Sequence, residues 1–167
     1  NGSRDDSVAF LKARHPQIKV VELGENRRFT GGNNAGVQAA AGEVVVLLNN
    51  DMEVDSGFLR PLLDGFRDDN VFAVSSQVFF QNKSQRREET GATRSRWLQG
   101  FPEPYHDEIP PEQSGTCLPV FWAGGGSSAF DRRKFLALGG LDSLYDPFYL
   151  EDVDLSYQAW KRGWKSL

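Results

Sequence analysis

Val44-Val45-Val46-Leu47-Leu48-Asn49-Asn50-Asp51 decides the fold of this chain. Five aliphatic residues in a row are the mark of a strand covered on both faces, and such strands belong to parallel sheets packed between helices. The run stops at two carboxamides and a carboxylate, and open α/β sheets bind ligands just beyond the carboxyl ends of their strands. Asp51 therefore stands where a ligand is expected. Upstream, residues 33–41 read as a small alanine-rich helix ended by Gly42, residues 24–32 as a loop, and residues 18–23 as a short strand. Asp5 or Asp6 opens a helix running to about Arg14, with Pro16 marking its end. Downstream, Asp55 or Ser56 starts a helix whose Phe58, Leu59, Leu62, Leu63 and Phe66 recur at helical spacing, and residues 71–80 follow as a strand. Strands separated by helical patterns predict a mostly parallel sheet flanked by helices, a single α/β domain over residues 1–167.

Composition narrows the function. At 167 residues, 39% hydrophobic and 25% charged, the chain can bury a real core. A net charge of −4 gives no electrostatic reason to bind nucleic acid and points to a small-molecule partner. Cys117 is the only cysteine, which excludes an internal disulfide and a multi-thiolate metal site. No apolar run approaches the roughly 18 residues of a membrane span. Asn1-Gly2-Ser3 leads at once into a helical pattern and Lys165-Ser166-Leu167 directly follows another, so the expectation is a fragment lacking the first strand and the C-terminal end of its fold.

Periodicity disappears over residues 81–119, where Arg86, Arg87, Arg94 and Arg96 lie among glycines and prolines. Trp97, Phe101 and Tyr105 argue for a functional loop, since disordered segments are poor in aromatics. Order resumes with a strand at Val120-Phe121-Trp122, then a loop through residues 123–128, a helix over residues 131–138 stopped by Gly139-Gly140, and a last helix over residues 151–162.

The chemistry concentrates at two acidic places. An aspartate at a strand end suits Mg²⁺ or Mn²⁺, hard ions that take oxygen ligands and leave positions for substrate phosphates. Asn50 suits a ribose or phosphate contact, although Asn49-Asn50-Asp51 also reads as a plain turn. Thr30-Gly31-Gly32-Asn33-Asn34-Ala35-Gly36 reads as a glycine-rich helix start, open to a phosphate but lacking Walker or Rossmann spacing. Arg27 and Arg28 stand beside it. Glu151 and Asp152 begin the last helix, where the dipole favours carboxylates whatever their role. Framing by Phe148, Tyr149 and Leu150 would desolvate them, raise their pKa and suit one to take a proton from a hydroxyl. Asp154 reads as helix-stabilising, and His15 and His106 as surface residues.

The ordered series Asn26, Phe29, Gly32-Asn33-Asn34-Ala35-Gly36, Ala41-Gly42, Leu48-Asn49-Asn50-Asp51, Gly139-Gly140-Leu141-Asp142 and Phe148-Tyr149-Leu150-Glu151-Asp152-Val153-Asp154-Leu155 resembles inverting glycosyltransferases of family 2, in particular their bacterial rhamnosyltransferase-like branch. The resemblance implies the GT-A nucleotide-diphospho-sugar transferase fold, a dTDP- or UDP-linked sugar donor, a divalent metal and a glycan or lipid-linked acceptor. It also implies polysaccharide synthesis in the cytoplasm, at or near the inner face of the cell membrane. It makes Asp51 the metal ligand, Gly32, Asn33, Asn34, Asn49 and Asn50 donor contacts, and Trp122, Gly124, Gly125 and Gly126 the lining of the acceptor and sugar pocket. Asp152 becomes the catalytic base with Glu151 assisting, residues 81–119 become an acceptor-side loop, and Arg28 departs from the family by replacing a common glycine. The competing readings are a nucleotidyltransferase of similar fold and a noncatalytic sugar-binding domain.

Overall fold

A computed structural model of the chain describes residues 1–81, 92–113 and 115–167. In chain order the elements are α1 (Ser7–Arg14), α2 (Arg28–Ala39), β1 (Val44–Leu48), α3 (Leu59–Asp64), β2 (Val71–Ser75), β3 (Ala92–Leu98), β4 (Phe101–Asp107), β5 (Ser127–Asp131), α4 (Arg132–Ala137), α5 (Glu151–Lys161) and β6 (Lys165–Ser166). The central sheet has the order β1-β5-β2-β6. β1, β2 and β6 point the same way, as a mostly parallel sheet requires, but β5 runs against them, so its ladders with β1 and β2 are antiparallel.

β1 carries the sheet because its residues alternate between two cores. Val45 and Leu47 pack with Phe72, Phe130, Phe135 and Leu155 on the face covered by α2, α4 and α5. Val44 and Val46 pack with Leu62, Val74 and Ala129 on the α3 face. Both faces are covered, which is why the strand reads as a continuous apolar run.

Several expectations are corrected. Residues 18–23 form no strand, because no neighbouring strand among the described residues pairs with them. The strand from Val71 ends at Ser75, and Val120-Phe121-Trp122 contributes one bridge, Val120 to Ser166. The glycine-rich loop stops at Gly126, where β5 takes over, and Asp131 caps α4 by accepting from the Lys134 N–H at 2.9 Å. Residues 30–36 do not open a helix but lie inside α2, where Gly31 and Gly32 leave room for the Arg27 stem and the Asn1 carboxamide. The aperiodic segment contains a hairpin, β3 paired with β4 from Ala92↔Asp107 to Leu98↔Phe101. Its turn residues Gln99 and Gly100 both have positive φ, 49° and 87°, the geometry two-residue hairpin turns favour. Residues 82–91 and 114 of the expected acceptor-side loop lie outside the described residues.

Lys134 locks β2 to α4. It is 2% exposed, donates to the Asp69 and Val71 carbonyls at 2.5 and 2.6 Å, and pairs with Asp131 at 3.2 Å. Lys134→Ala removes the ammonium that pairs with Asp131 and strands two carbonyls, an expected cost of about 3 kcal/mol in chemical denaturation. A loss under about 1 kcal/mol would show that water replaces the ammonium freely.

Candidate active site

The site is organised by residues 121–126, an extended strap that meets three elements in turn. The Phe121 N–H donates to the Thr93 carbonyl on β3 at 2.9 Å, and the Trp122 N–H to Thr93 Oγ1 at 3.0 Å. The Ala123 N–H reaches Ser156 Oγ on α5 at 3.2 Å, and the Gly125 N–H reaches Asp152 Oδ2 at 3.0 Å. The Gly126 carbonyl accepts from the Asn49 N–H at the end of β1, at 2.8 Å. One short strap thus ties the polar end of β1 to the acidic start of α5. Glycine is needed along it: a Cβ on Gly125 would lie 3.0 Å from the Phe29 ring, and one on Gly126 would lie 2.8 Å from Asn49 Nδ2.

Helix α5 begins without a side-chain cap, and its preceding residue Leu150 sits in the left-handed region at φ 86°. A leucine there costs on the order of 1 kcal/mol or more, strain of the kind that collects at functional sites. The first turn carries Glu151, Asp152 and Asp154, which complement the exposed N–H groups of the helix start. Asp154 serves the helix, accepting from Gln158 Nε2 one turn on at 2.6 Å.

Burial pushes the Asp152 carboxyl above the usual carboxylate range, opposed by hydrogen bonds from the Gly125 and Val153 N–H groups and by the charge of His106. Burial also raises Glu151, with Asp152 and Asp146 adding repulsion. Glu151 is 4% exposed, and its Oε2 has no hydrogen-bond partner among the described residues. A buried, unpartnered carboxyl oxygen invites a ligand hydroxyl. The desolvation does not come from the expected frame: Phe148, Tyr149 and Leu150 are all exposed. Asp152 lies against Gly124 and Gly125, and the Phe29 ring faces Gly125 as well.

At the opposite end of the strap, the Met52 N–H closes a turn onto the Asn49 carbonyl at 3.3 Å. The turn reading of Asn49-Asn50-Asp51 is therefore correct, and its result is to present Asn50 and Asp51 to solvent while Asn49 stays half-buried. Asp51 lines a cleft of 620 Å³ with Glu53, Asp55, Gln77 and Ser127. Among the described residues no group of three or more His, Cys, Asp and Glu side chains is arranged to hold a metal.

The α2 residues divide. Asn34, expected among the donor contacts, uses both ends of its carboxamide on the Leu141 backbone, at 2.8 and 2.9 Å, and so clips the Gly139-Gly140 turn to α2. Asn33 donates to the Phe29 carbonyl at 2.9 Å, which holds the helix turn that carries the Phe29 ring. Gly32 faces Asn1, whose carboxamide bridges Arg27 and Arg28. Arg27 and Arg28 border a separate cleft of 730 Å³ that also includes Asp142 and Asp146.

Residues 1–128 match the family model described as glycosyl transferase family 2. The chain belongs to that family. This family 2 domain is 27% identical over 157 residues to polypeptide N-acetylgalactosaminyltransferase 10 of Mus musculus, covering 90% of the domain and 26% of the relative. It is 24% identical over 155 residues to the low-salt glycan biosynthesis hexosyltransferase Agl10 of Haloferax volcanii, covering 87% and 47%. The crystal structure of GalNAc-T7 with UDP, GalNAc and Mn²⁺ superposes with a TM-score of 0.73 at 20% identity, over 98% of the domain and 33% of that chain. The fold is thereby GT-A, as expected. The domain spans about a quarter of the length of the first curated relatives it matches.

Within the family 2 domain the structure joins Asn49, Gly124, Gly125, Gly126, Trp122, Glu151 and Asp152 into one continuous assembly, with Asn50 and Asp51 at its rim. His106, expected to be a surface residue, is exposed and packs edge-to-face on Trp122 with ring centroids 5.0 Å apart. No helix among the described residues is long and apolar enough to cross a membrane.

Proposed function

We propose that the domain is the catalytic part of an inverting, metal-assisted glycosyltransferase. It moves a hexosyl or deoxyhexosyl group from a UDP- or dTDP-linked donor to a hydroxyl of a glycan or lipid-linked acceptor. The observation that carries this reading is the strap: it holds a half-buried carboxylate, Asp152, at one end and the polar terminus of β1 with Asp51 at the other.

The Asp51 donor set fits a hard divalent ion. Mg²⁺ and Mn²⁺ are commonly held by one or two carboxylates with substrate phosphates filling other positions, and Asp51 offers one exposed carboxylate beside two carboxamides. When bound, such an ion supplies positive charge to the departing nucleoside diphosphate. The GalNAc-T7 structure, holding UDP, GalNAc and Mn²⁺ on this fold, supports the same assignment here and favours UDP over dTDP.

The domain's own residues do the rest. Asp152 accepts the proton of the acceptor hydroxyl while the oxygen bonds to the anomeric carbon, and the bond from that carbon to the diphosphate oxygen breaks with its electron pair leaving on the diphosphate. Glu151, raised by burial and with Oε2 unpartnered among the described residues, binds a sugar or acceptor hydroxyl. Asn49 and Asn50 contact the donor. The Phe29 ring and the strap exclude water from the base. The resemblance to rhamnosyltransferase-like members supports a deoxyhexose; the GalNAc-transferase relatives support an N-acetylhexosamine. The setting we propose is polysaccharide synthesis at the inner face of the cell membrane.

The test is the anomeric configuration of the product. Transfer from UDP- and dTDP-linked hexoses and deoxyhexoses to simple glycosides, followed by proton NMR before mutarotation, should give inversion. Retention would overturn direct displacement with Asp152 as base.

A further inference from the structure

The strap leaves the central sheet just after Val120, whose N–H donates to the Ser166 carbonyl on β6 at 3.0 Å, and rejoins it at Ser127, the first residue of β5. In between it runs along α5. The Ala123 N–H reaches Ser156 Oγ at 3.2 Å, and the Gly125 N–H reaches Asp152 Oδ2 at 3.0 Å. Two residues of extended chain advance about 6.6 Å and four residues of helix about 6 Å, so the two N–H groups meet successive turns of α5. A slip of the strap along the helix would take the Gly125 N–H off Asp152.

The local chain does not fix that register, because Gly124-Gly125-Gly126 have no Cβ and wide backbone freedom. Thr93 on β3 supplies the fixed point. Its side chain is buried, and its hydroxyl accepts from the Trp122 N–H at 3.0 Å while donating to the Trp122 carbonyl at 2.6 Å. Its carbonyl accepts from the Phe121 N–H at 2.9 Å. Both backbone polar groups of the residue just before Ala123 are thus committed to one hydroxyl, and β3 is held in turn by its ladder to β4. Asp152 is tied at both oxygens, Oδ2 by the Gly125 N–H and Oδ1 by the Val153 N–H at 2.8 Å. The second of these bonds lies within α5, so the first alone sets how the carboxylate stands toward the strap.

We propose that Thr93 is a positioning residue of the transfer reaction: its hydroxyl clamps both backbone groups of Trp122 and sets the register in which the strap delivers the Gly125 N–H to Asp152. This rests on the assignment of Asp152 as the base. Without the clamp the glycines let the strap drift, and the carboxylate loses the bond that aims it. The donor end is spared, because the Asn49 N–H meets the Gly126 carbonyl where β5 begins and the sheet holds that junction.

Thr93→Val keeps the shape of the side chain and removes the hydroxyl. It should lower kcat about 10- to 100-fold and leave the donor KM within about twofold. Thr93→Ser keeps the hydroxyl and should hold kcat within about threefold. Lys134→Ala, which loosens the fold at β2 and α4, should leave kcat within about twofold when assayed below its melting range. Amide hydrogen exchange, which needs no turnover, should be at least about tenfold faster at Gly125 in Thr93→Val and near the unaltered rate in Thr93→Ser. Should Thr93→Val not fold, Thr93→Ala carries the same expectations, leaving space instead of a methyl group against the Trp122 backbone. Either an unchanged kcat or an unchanged Gly125 exchange in the variant without the hydroxyl would overturn the proposal, as would an equal loss of kcat in Thr93→Ser or Lys134→Ala. If the unaltered chain transferred no sugar from any donor, the transferase assignment would fail, while Gly125 exchange would still decide whether Thr93 sets the register of the strap.

Discussion

Asp152→Asn should lower transfer turnover by about 10²- to 10⁴-fold and leave donor affinity within about threefold. Asparagine is nearly isosteric and still offers an oxygen to the Gly125 N–H, so the strap keeps its anchor, but it cannot take a proton at neutral pH. The loss belongs in kcat because the donor end lies on the other side of the strap. A noncatalytic sugar-binding domain would tolerate the change.

Stability provides an independent check on the same variant. Burial raises Asp152 above its unfolded value, so the folded state favours the neutral acid. That contribution is present at low pH and is lost as pH rises through the folded-state pKa, where charge is forced into the pocket. Asp152→Asn carries no such charge. Its melting temperature relative to the unaltered chain should therefore be higher at about pH 8 than at about pH 4. A relative melting temperature that falls between these values would mean that the charged carboxylate is a net stabiliser, contrary to the desolvation reading. Inactivity with undiminished stability at the higher pH would locate the defect in the chemistry.

The parts of the fold legible in sequence were those whose local pattern and tertiary setting agree. β1 is aliphatic on both faces because both faces are buried, and α4 and α5 begin and end where Asp131, Gly139 and the acidic first turn say they should. What was not legible depended on contacts made far along the chain. β5 is only Ser127-Ser128-Ala129-Phe130-Asp131, and it is a strand because β1 and β2 pair with it on either side. The β3–β4 hairpin was hidden by Pro102 and Pro104, which weaken a strand signal. At a spacing of two they occupy the same side of an edge strand, where the missing N–H groups cost no ladder bonds. Gly31 and Gly32 argued for a loop, yet they lie in α2 because Arg27 and Asn1 pack where side chains would be.

The site followed the same division. Its residue types were visible at Asn49-Asn50-Asp51 and Glu151-Asp152, and the family resemblance supplied their expected roles. The route between them was not visible, since it runs through backbone groups of glycines that carry no side-chain signal. The source of Asp152 desolvation was misassigned for a related reason. Phe148, Tyr149 and Leu150 are neighbours in sequence but turn outward, whereas Phe29 is 123 positions from Asp152 and faces the same glycine.

The second large effect concerns the donor end. Asp51 stands at the tip of the Asn49–Met52 turn, exposed, with its carboxylate on the rim of the cleft and no cluster of three acidic, histidine or cysteine ligands among the described residues to substitute for it. Metal-dependent affinity for a nucleoside diphosphate should therefore hinge on this one side chain, while Asp152 should be dispensable for it. Calorimetric titration of UDP and dTDP, with and without Mn²⁺, into the chain, Asp51→Ala and Asp152→Asn tests the account most directly. The expected result is Mn²⁺-dependent nucleotide binding that weakens at least roughly 100-fold in Asp51→Ala and persists in Asp152→Asn. Nucleotide binding indifferent to both Mn²⁺ and the loss of Asp51 would contradict it.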